Sequence, residues 1–185
     1  MRASRTSCIR RAVGARHEAR RNCRTALGFG QSVRVADFLI RVADAKDFEA
    51  ISDVHRRSSL SNNGDRAVLL ANPDVLVFEG GSIREGRTRV AVDAGRVVGF
   101  ATTTLVGEIA ELDDLFVDPD WMRRGVARAL VLDAVSVARA GGSKGIEVTA
   151  NEHALRFYDA VGFVADGVVT TQFAPGTRMH LDIVP

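Results

Sequence analysis

Residues 88–117 have the pattern of apolar and polar positions that is typical of consecutive β-strands. The segments "TRVAVD" (88–93) and "RVVGFATTTLV" (96–106) are joined at Asp93-Ala94-Gly95, an Asp-x-Gly sequence that favours a tight hairpin. A third apolar segment, "EIAELDDLFVDP" (108–119), ends at a turn formed by Asp118-Pro119-Asp120. We therefore predict three consecutive strands in the middle of the chain.

Helical patterns lie on both sides of these strands. The segment from about 125 to 140 is apolar around almost its whole circumference, which predicts a helix packed against a sheet. In residues 44–60, Asp44 is suited to cap an amphipathic helix. The side chains predicted on the buried face of that helix are Phe48, Ile51 and either Val54 or His55.

The remaining segments complete one predicted domain, residues 35–185, in which we find no repeat and no linker. Residues 73–86 fit either an edge strand or a loop. The element order β-α-α-β-β-β-α-β-α-β-β predicts an α/β (α+β) fold, with a mixed, mostly antiparallel sheet of about six to seven strands flanked by about four helices. The other predicted strands are 38–43, 146–150, 163–173 and 177–184, and the other predicted helices are 66–72 and 151–162.

The N-terminal segment, residues 1–34, differs in composition from the rest. It has nine arginines and one glutamate, a net charge of +8, whereas residues 35–185 have 16 basic and 22 acidic residues and a net charge of −6. It lacks the apolar core of a secretory signal. We predict a basic, disordered extension; a transit peptide and a nucleic-acid-binding arm are the alternatives.

Cysteine and histidine usage limits the chemistry of the domain. Both cysteines, Cys8 and Cys23, lie in the N-terminal segment, so we expect neither a disulfide framework nor a catalytic thiol in residues 35–185. The histidines of the domain show no metal-ligand spacing, and we expect no metal. No apolar run approaches the roughly 20 residues of a membrane-spanning helix, so we expect a cytoplasmic protein without a membrane partner.

A strand, a short turn and a basic helix start follow one another at residues 114–128. Successive backbone N–H groups at such a helix start can converge on phosphate oxygens, and Gly125 allows the backbone to approach closely. The segment lacks the Gly-Lys-Ser/Thr of a P-loop and the GxGxxG of a dinucleotide site, and an ordinary helix start is the alternative. Three side chains add positive charge: Arg123, Arg124 and Arg128.

Two segments together, "LFVDPDWMRRGVARAL" (115–130) and "EVTANEHALRFYDAVGF" (147–163), resemble the GNAT superfamily of acyl-CoA-dependent N-acetyltransferases. The resemblance covers about residues 38–184 and is strongest at 108–163. The family's pyrophosphate loop, Arg/Gln-x-x-Gly-x-Gly/Ala, corresponds to Met122–Ala127. Met122 departs from the common Arg or Gln, and we expect a modest effect because the loop acts mainly through backbone N–H groups.

The resemblance implies a binding site for acetyl-CoA between two strands that splay apart, 112–117 and 146–150. The pantetheine arm would bond the backbone of the first of these strands as if it were an added strand. Asn151 matches the family asparagine whose amide reaches the cofactor arm, although it is also suited to cap the following helix. The residues implied in cofactor binding are Leu115, Phe116, Val117, Arg123, Arg124, Gly125, Val126, Ala127, Arg128 and Asn151.

The resemblance also implies catalytic residues. Tyr158 matches the tyrosine that protonates the departing thiolate, although its helical spacing fits a core residue equally well. Glu111 aligns with the general-base glutamate found in part of the family, and Asp113 and Asp114 are its rivals. A base is needed because an amine with a pKa of about 10.4 is almost fully protonated at pH 7.

The implied function is direct acetyl transfer from acetyl-CoA to a primary amine, on a small molecule, a protein N-terminus or a lysine. A catalytically silent acyl-CoA-binding sensor is the alternative. We do not expect nucleic acid among the partners, since the domain is acidic and the N-terminal segment has a single aromatic residue, Phe29. The oligomeric state, monomer or homodimer, stays open.

Overall fold

The computed structural model describes residues 33–35, 38–172 and 174–183, which form one sheet with helices packed against it. The N-terminal segment up to residue 32 lies outside the described residues, and its predicted disorder is not tested. The strands are β1 (Val33–Val35), β2 (Phe38–Val42), β3 (Thr88–Asp93), β4 (Arg96–Val106), β5 (Ile109–Val117), β6 (Gly145–Ala150), β7 (Val164–Thr170) and β8 (Pro175–Asp182). The helices are α1 (Phe48–Ser59), α2 (Asn63–Ala71), α3 (Gly81–Arg84), α4 (Val126–Ala140) and α5 (Leu155–Ala160).

The predicted fold class is confirmed. The eight strands have the order β1-β2-β3-β4-β5-β6-β8-β7, and β5–β6 is the parallel pair in an otherwise antiparallel sheet. The strand beyond the predicted number is β1, which spans the predicted domain boundary at residue 35. Residues 73–86 contain a 3-10 turn (Pro73–Leu76) and α3, with no strand.

Local sequence signals explain several element boundaries. Asp44 accepts a hydrogen bond from the backbone N–H of Lys46 at 3.0 Å and caps the 3-10 turn that leads into α1. Ala94 and Gly95 both have positive φ, as the tight hairpin between β3 and β4 requires. Asn62 caps α2, which begins three residues before the predicted helix at 66–72.

Two hydrophobic clusters hold the helices on the sheet. One contains Leu112 of β5 and Ile146 of β6, packed with Leu130 of α4, and the other contains Ile51 of α1 with Phe100 of β4. The prediction that α4 packs against the sheet is confirmed, because seven of its residues are buried. Burial of α4 fixes its N-terminus at the end of β5, where the candidate site lies.

Asp133 interrupts the apolar surface of α4 for a structural reason. Its carboxylate is buried and accepts hydrogen bonds from the guanidinium of Arg89 on β3, including one at 2.9 Å from Nη2. Burial raises the pKa of Asp133, and the bonds from Arg89 oppose that shift. Removing one partner of such a buried pair typically costs about 3–5 kcal/mol, so this pair anchors α4 to β3.

Candidate active site

The parallel strands β5 and β6 pair along only part of their length. Ile109–Glu111 pair with Gly145–Glu147, and beyond them the two strands have no further register. A β-bulge lies at this point, because Thr102 faces Asp114 and Thr103 faces Leu112, which leaves Asp113 as the extra residue. Bulges bend a strand and increase its twist. The bend opens a gap, called here the β5–β6 split, with backbone groups of residues 112–117 along one side.

Asp118 fixes the end of β5 beside the split. Its carboxylate is 1% exposed and accepts hydrogen bonds from Arg57 at 2.6 Å, from Arg96 at 2.7 Å and from the backbone of Asp120 at 3.0 Å. Its own N–H donates to Val98 at 2.9 Å. These bonds hold the turn that leads from β5 to the start of α4.

The turn presents backbone N–H groups at the start of α4. Arg123 and Gly125 both have positive φ, at 60° and 85°, and Gly125 is the N-cap without a side-chain capping bond. The first helical bond runs from Ala129 N–H to the Gly125 carbonyl at 2.9 Å, so the preceding N–H groups have no partner within the helix. The positive end of the helix dipole and these free donors together form an anion site.

Three exposed arginines surround this helix start. Arg123, Arg124 and Arg128 make no ion pair among the described residues. The Arg124 guanidinium lies 4.8 Å from the centre of the Trp121 ring, which holds it beside the turn. The sequence prediction of a basic, glycine-containing helix start at the end of a strand therefore has its counterpart in this geometry.

Asn151 follows β6, on the other side of the split. Its side-chain oxygen accepts a hydrogen bond from the N–H of Ala154 at 3.0 Å, so it acts as the N-cap of the 3-10 turn before α5. The amide nitrogen makes no hydrogen bond among the described residues. The predicted contact of Asn151 with a cofactor stays a prediction that is compatible with capping.

Tyr158 lies on α5, buried to 6% exposure between the rings of Phe157 and Phe163. Burial raises the pKa of its hydroxyl, and the negative charge of Asp114 raises the pKa further. The hydroxyl therefore stays protonated at neutral pH. Asp114 is the residue after the bulge of β5, and Tyr158 lies on the helix after β6.

Glu111 lies on β5 where the split begins, and Arg178 of β8 binds it through both carboxylate oxygens, one of them at 2.6 Å from Nη1. The same guanidinium binds Glu147 of β6 and, at 3.2 Å, the hydroxyl of Thr149. Burial raises the pKa of Glu111, Arg178 lowers it, and the charges of neighbouring acids raise it, with an upward net shift. Glu111 is thus an ion-paired carboxylate that is more basic than an ordinary glutamate.

The two rivals of Glu111 are placed differently. Asp113, at the bulge, accepts hydrogen bonds from the hydroxyl of Thr104 and from Arg87 at 3.3 Å. Asp114 is the carboxylate whose charge acts on Tyr158. Glu111 and Asp114 thus lie three residues apart on β5, and the charge of Asp114 acts on Tyr158, whereas the basic helix start follows the end of β5.

Sequence reasoning missed Arg57, Arg96 and Arg178. Arg57 is 61 residues from Asp118 and Arg178 is 67 residues from Glu111. A charged residue such as Arg178 within an inner strand indicates that an acidic partner lies nearby. The partner could be identified only once the strand order was known.

Comparison with known proteins identifies the family. A sequence profile of the acetyltransferase (GNAT) family matches residues 55–163, which are 109 of the 185 residues. The chain belongs to this family. The match includes both strands of the split, the start of α4 and the helix that carries Tyr158.

Individual relatives in the GNAT family match only part of this chain. An uncharacterised N-acetyltransferase of Methanocaldococcus jannaschii is 37% identical over 65 residues, 34% of this chain and 29% of that protein. Glucosamine 6-phosphate N-acetyltransferase of Trypanosoma brucei brucei is 28% identical over 78 residues, 38% of this chain and 53% of that protein. The chain thus matches about half or less of the length of these two relatives.

A solved GNAT structure shows the same fold. The PaiA N-acetyltransferase of Thermoplasma acidophilum, in complex with coenzyme A, superposes with a TM-score of 0.66 at 16% identity, covering 78% of this chain and 98% of that one.

Among the described residues, no helix is both long and apolar enough to span a membrane, and no group of three or more His, Cys, Asp or Glu could hold a metal ion.

Proposed function

We propose that this protein transfers an acetyl group from acetyl-CoA to a primary amine. The observation that carries the proposal is the β5–β6 split, which ends at a helix start with free N–H donors and three exposed arginines. Family membership supports it, as do the N-acetyltransferase names of the two curated relatives and the coenzyme A bound in the PaiA structure.

The residues around the split fit acetyl-CoA. The N–H groups of residues 125–128 and the arginine side chains are suited to the diphosphate. A Cβ added at Gly125 would meet no atom of the described residues within 4 Å, so these residues leave the approach open. The unpaired edge of β5 at Leu115–Val117 offers backbone groups to the pantetheine amides. The side-chain amide nitrogen of Asn151 is available to donate a further hydrogen bond to the same arm of the cofactor. When bound, acetyl-CoA supplies an acetyl group activated as a thioester.

Tyr158 is proposed as the proton donor to the departing sulfur. Because burial and Asp114 raise the pKa of its hydroxyl, the group stays protonated at neutral pH and can donate a hydrogen bond to the sulfur. A thiol has a pKa of about 8.5, so a thiolate needs only modest assistance to leave.

Glu111 is proposed as the acceptor of the amine proton, directly or through one water. Its raised pKa makes it a stronger base than an ordinary glutamate. Arg178 holds the carboxylate in place and acts as a positioning residue.

Transfer is proposed to occur directly between the two bound substrates. Both cysteines lie at residues 8 and 23, and residues 35–185 contain none, so no thiol of the domain can carry the acetyl group. Initial-rate measurements should give intersecting double-reciprocal lines. Parallel lines, which indicate a covalent enzyme intermediate, would contradict direct transfer.

The decisive experiment measures release of free coenzyme A thiol from acetyl-CoA in the presence of a panel of amines, together with coenzyme A binding by calorimetry. We expect amine-dependent release, and a fall in kcat of at least about 100-fold in Tyr158→Phe without loss of coenzyme A binding. Binding without turnover for every amine would identify a sensor. Failure of the folded protein to bind coenzyme A would contradict the proposal.

A further inference from the structure

An open cavity of about 330 Å³ lies on the face of the protein that carries α1 and α2. It is large enough for part of a small ligand. We call it the arginine cavity; it is lined by Arg56, Arg57, Leu60, Ser61, Arg66 and Pro119. Three of its six residues are arginines and none is acidic.

Two of the three arginines keep an uncompensated charge. Arg57 is paired with Asp118 at 2.6 Å and with Asp120 at 2.8 Å. Arg56 makes no ion pair among the described residues, and Arg66 donates only to the backbone carbonyl of Leu60, at 3.1 Å. Both are exposed, and both line the cavity. The nearby Asp65 accepts a hydrogen bond from Asn62 at 2.8 Å.

The arginine cavity lies beside the turn that follows β5, the first strand of the β5–β6 split. Pro119 lies two residues after Val117, the last residue of β5, and Arg57 is bonded to the acids on both sides of Pro119, Asp118 and Asp120. On the other side, a Cβ placed at Gly64 in the first turn of α2 would lie 3.6 Å from Nε2 of His153, which follows β6 and Asn151. The turn between α1 and α2 therefore spans the ends of both split strands.

We propose that the arginine cavity binds an oxyanion, a carboxylate or a phosphate, that belongs to the acceptor. This inference rests on the proposed function: the amine that receives the acetyl group then belongs to a molecule that also carries an oxyanion. A guanidinium group can donate two parallel hydrogen bonds to a carboxylate or a phosphate, and its charge is opposite to theirs. Glu111 lies eight residues before Pro119, so the acceptor must be long enough for its amine to lie near Glu111 while its oxyanion lies in the cavity.

A binding experiment tests the cavity without catalysis. The protein is first saturated with coenzyme A, which occupies the proposed diphosphate site, and inorganic phosphate is then titrated in calorimetry at constant ionic strength. We expect saturable binding that weakens by about tenfold or more in Arg56→Gln/Arg66→Gln. The matched control is Arg139→Gln, an exposed arginine in the last turn of α4, which should bind phosphate as the parent does.

A kinetic experiment tests the acceptor. The parent protein should use acceptors with an oxyanion more efficiently than matched neutral acceptors, such as peptides that carry glutamate several residues after the N-terminal amine against the same peptides with glutamine. Arg56→Gln/Arg66→Gln should lose about tenfold or more of that preference in kcat/KM and leave transfer to neutral amines unchanged.

Three results would overturn the inference. The first is that the parent protein does not bind phosphate, and the second is that the double variant keeps the preference for anionic acceptors. The third is that the double variant binds coenzyme A more weakly but binds dephospho-coenzyme A with unchanged affinity. The last result would assign the cavity to the coenzyme's own 3′-phosphate. A protein that acetylates no amine would refute the proposed function instead, while the phosphate titration would still report on the cavity.

Discussion

Glu111 combines two environments that act on its carboxylate in opposite directions. Burial disfavours its charge and raises its pKa, while the two hydrogen bonds from Arg178 favour the charged form. Arg178 is itself shared with Glu147, so its single positive charge does not fully compensate both acids. The pKa of Glu111 therefore stays above that of an ordinary glutamate, as suits a proton acceptor.

Replacement of Glu111 by Gln should change how the rate depends on pH. We expect kcat/KM at neutral pH to fall by about 100-fold or more, because the ammonium form of the acceptor loses its base. The rate should recover in part at high pH, where the amine loses its proton without help. The measurement is a pH–rate profile from pH 5 to 10.

The matched control is Glu147→Gln, which removes the other carboxylate that binds Arg178. It should keep the shape of the parent profile, since it disturbs the same ion cluster without removing the proposed base. A parent-like profile for Glu111→Gln would exclude Glu111, and Asp114→Asn would then be the next variant to measure.

His55 should make the stability of the protein sensitive to acid. Its ring is buried against Phe116, with centroids 4.6 Å apart, and its Nδ1 has no hydrogen-bond partner in the part of the chain that the structure describes. Burial lowers the pKa of His55, partly offset by a bond with the backbone of Leu76. The folded state thus favours the neutral ring, whose stabilising effect is present above the unfolded pKa of about 6.5 and is lost as pH falls towards the lower folded value.

We therefore expect the free energy of unfolding in urea to fall between pH 7.5 and 5, with a contribution from His55 of at most about 1.4 kcal/mol per pH unit. His55→Phe should have a shallower dependence, whereas His153→Gln, at an exposed histidine, should match the parent. Equal slopes for parent and His55→Phe would contradict this account.

The start of α4 illustrates how one element can serve both the fold and the proposed site. Gly125 and Gly95 both have φ of 85°, and a Cβ at either position would meet no atom of the described residues within 4 Å. Alanine at either position is therefore penalised only by the left-handed conformation, by about 1–2 kcal/mol. The two positions differ in that Gly125 begins α4 and Gly95 lies in the β3–β4 hairpin.

This pair gives a matched test of coenzyme A binding. Both Gly125→Ala and Gly95→Ala should lower the free energy of unfolding by a similar amount. Only Gly125→Ala should weaken coenzyme A binding in calorimetry, because it alone changes the direction of the N–H groups at the helix start. Equal coenzyme A affinity for the two variants would argue against a diphosphate at this turn.

Most helices and strands were predictable because their signals are local. The Asp-x-Gly hairpin, the apolar helix α4 and the strands within residues 96–117 can each be predicted from residues that are neighbours in the sequence. The β5–β6 split was expected only from the family resemblance. Its physical cause, the bulge at Asp113, depends on how β4 and β5 pair and leaves no clear mark in either strand alone.

The candidate site was predictable where backbone conformation creates it and hidden where distant side chains complete it. The basic turn with Gly125 could be recognised in a few consecutive residues. Arg57 and Arg178 bind acids that are more than 60 residues away, so their roles appear only once the sheet has been assembled.

Positive and negative net charge lie in different parts of the chain. Residues 1–32 carry eight arginines and one glutamate, which leaves the rest of the chain with a net charge of −5. All the residues proposed to bind or react with substrates lie between Arg56 and Arg178. Catalysis and the basic charge are therefore assigned to different parts of the chain.

Deletion of residues 1–32 should test this division. We expect acetyl transfer and coenzyme A affinity to stay unchanged, because β1 begins at Val33 and none of the proposed site residues is removed. Retention on a polyanionic column such as heparin should fall, since the remaining chain is acidic, and the retention of the full chain should decrease steeply with salt. A truncated protein that folds but no longer binds coenzyme A would place part of the cofactor site in the N-terminal segment, and the boundary near residue 35 would then be wrong.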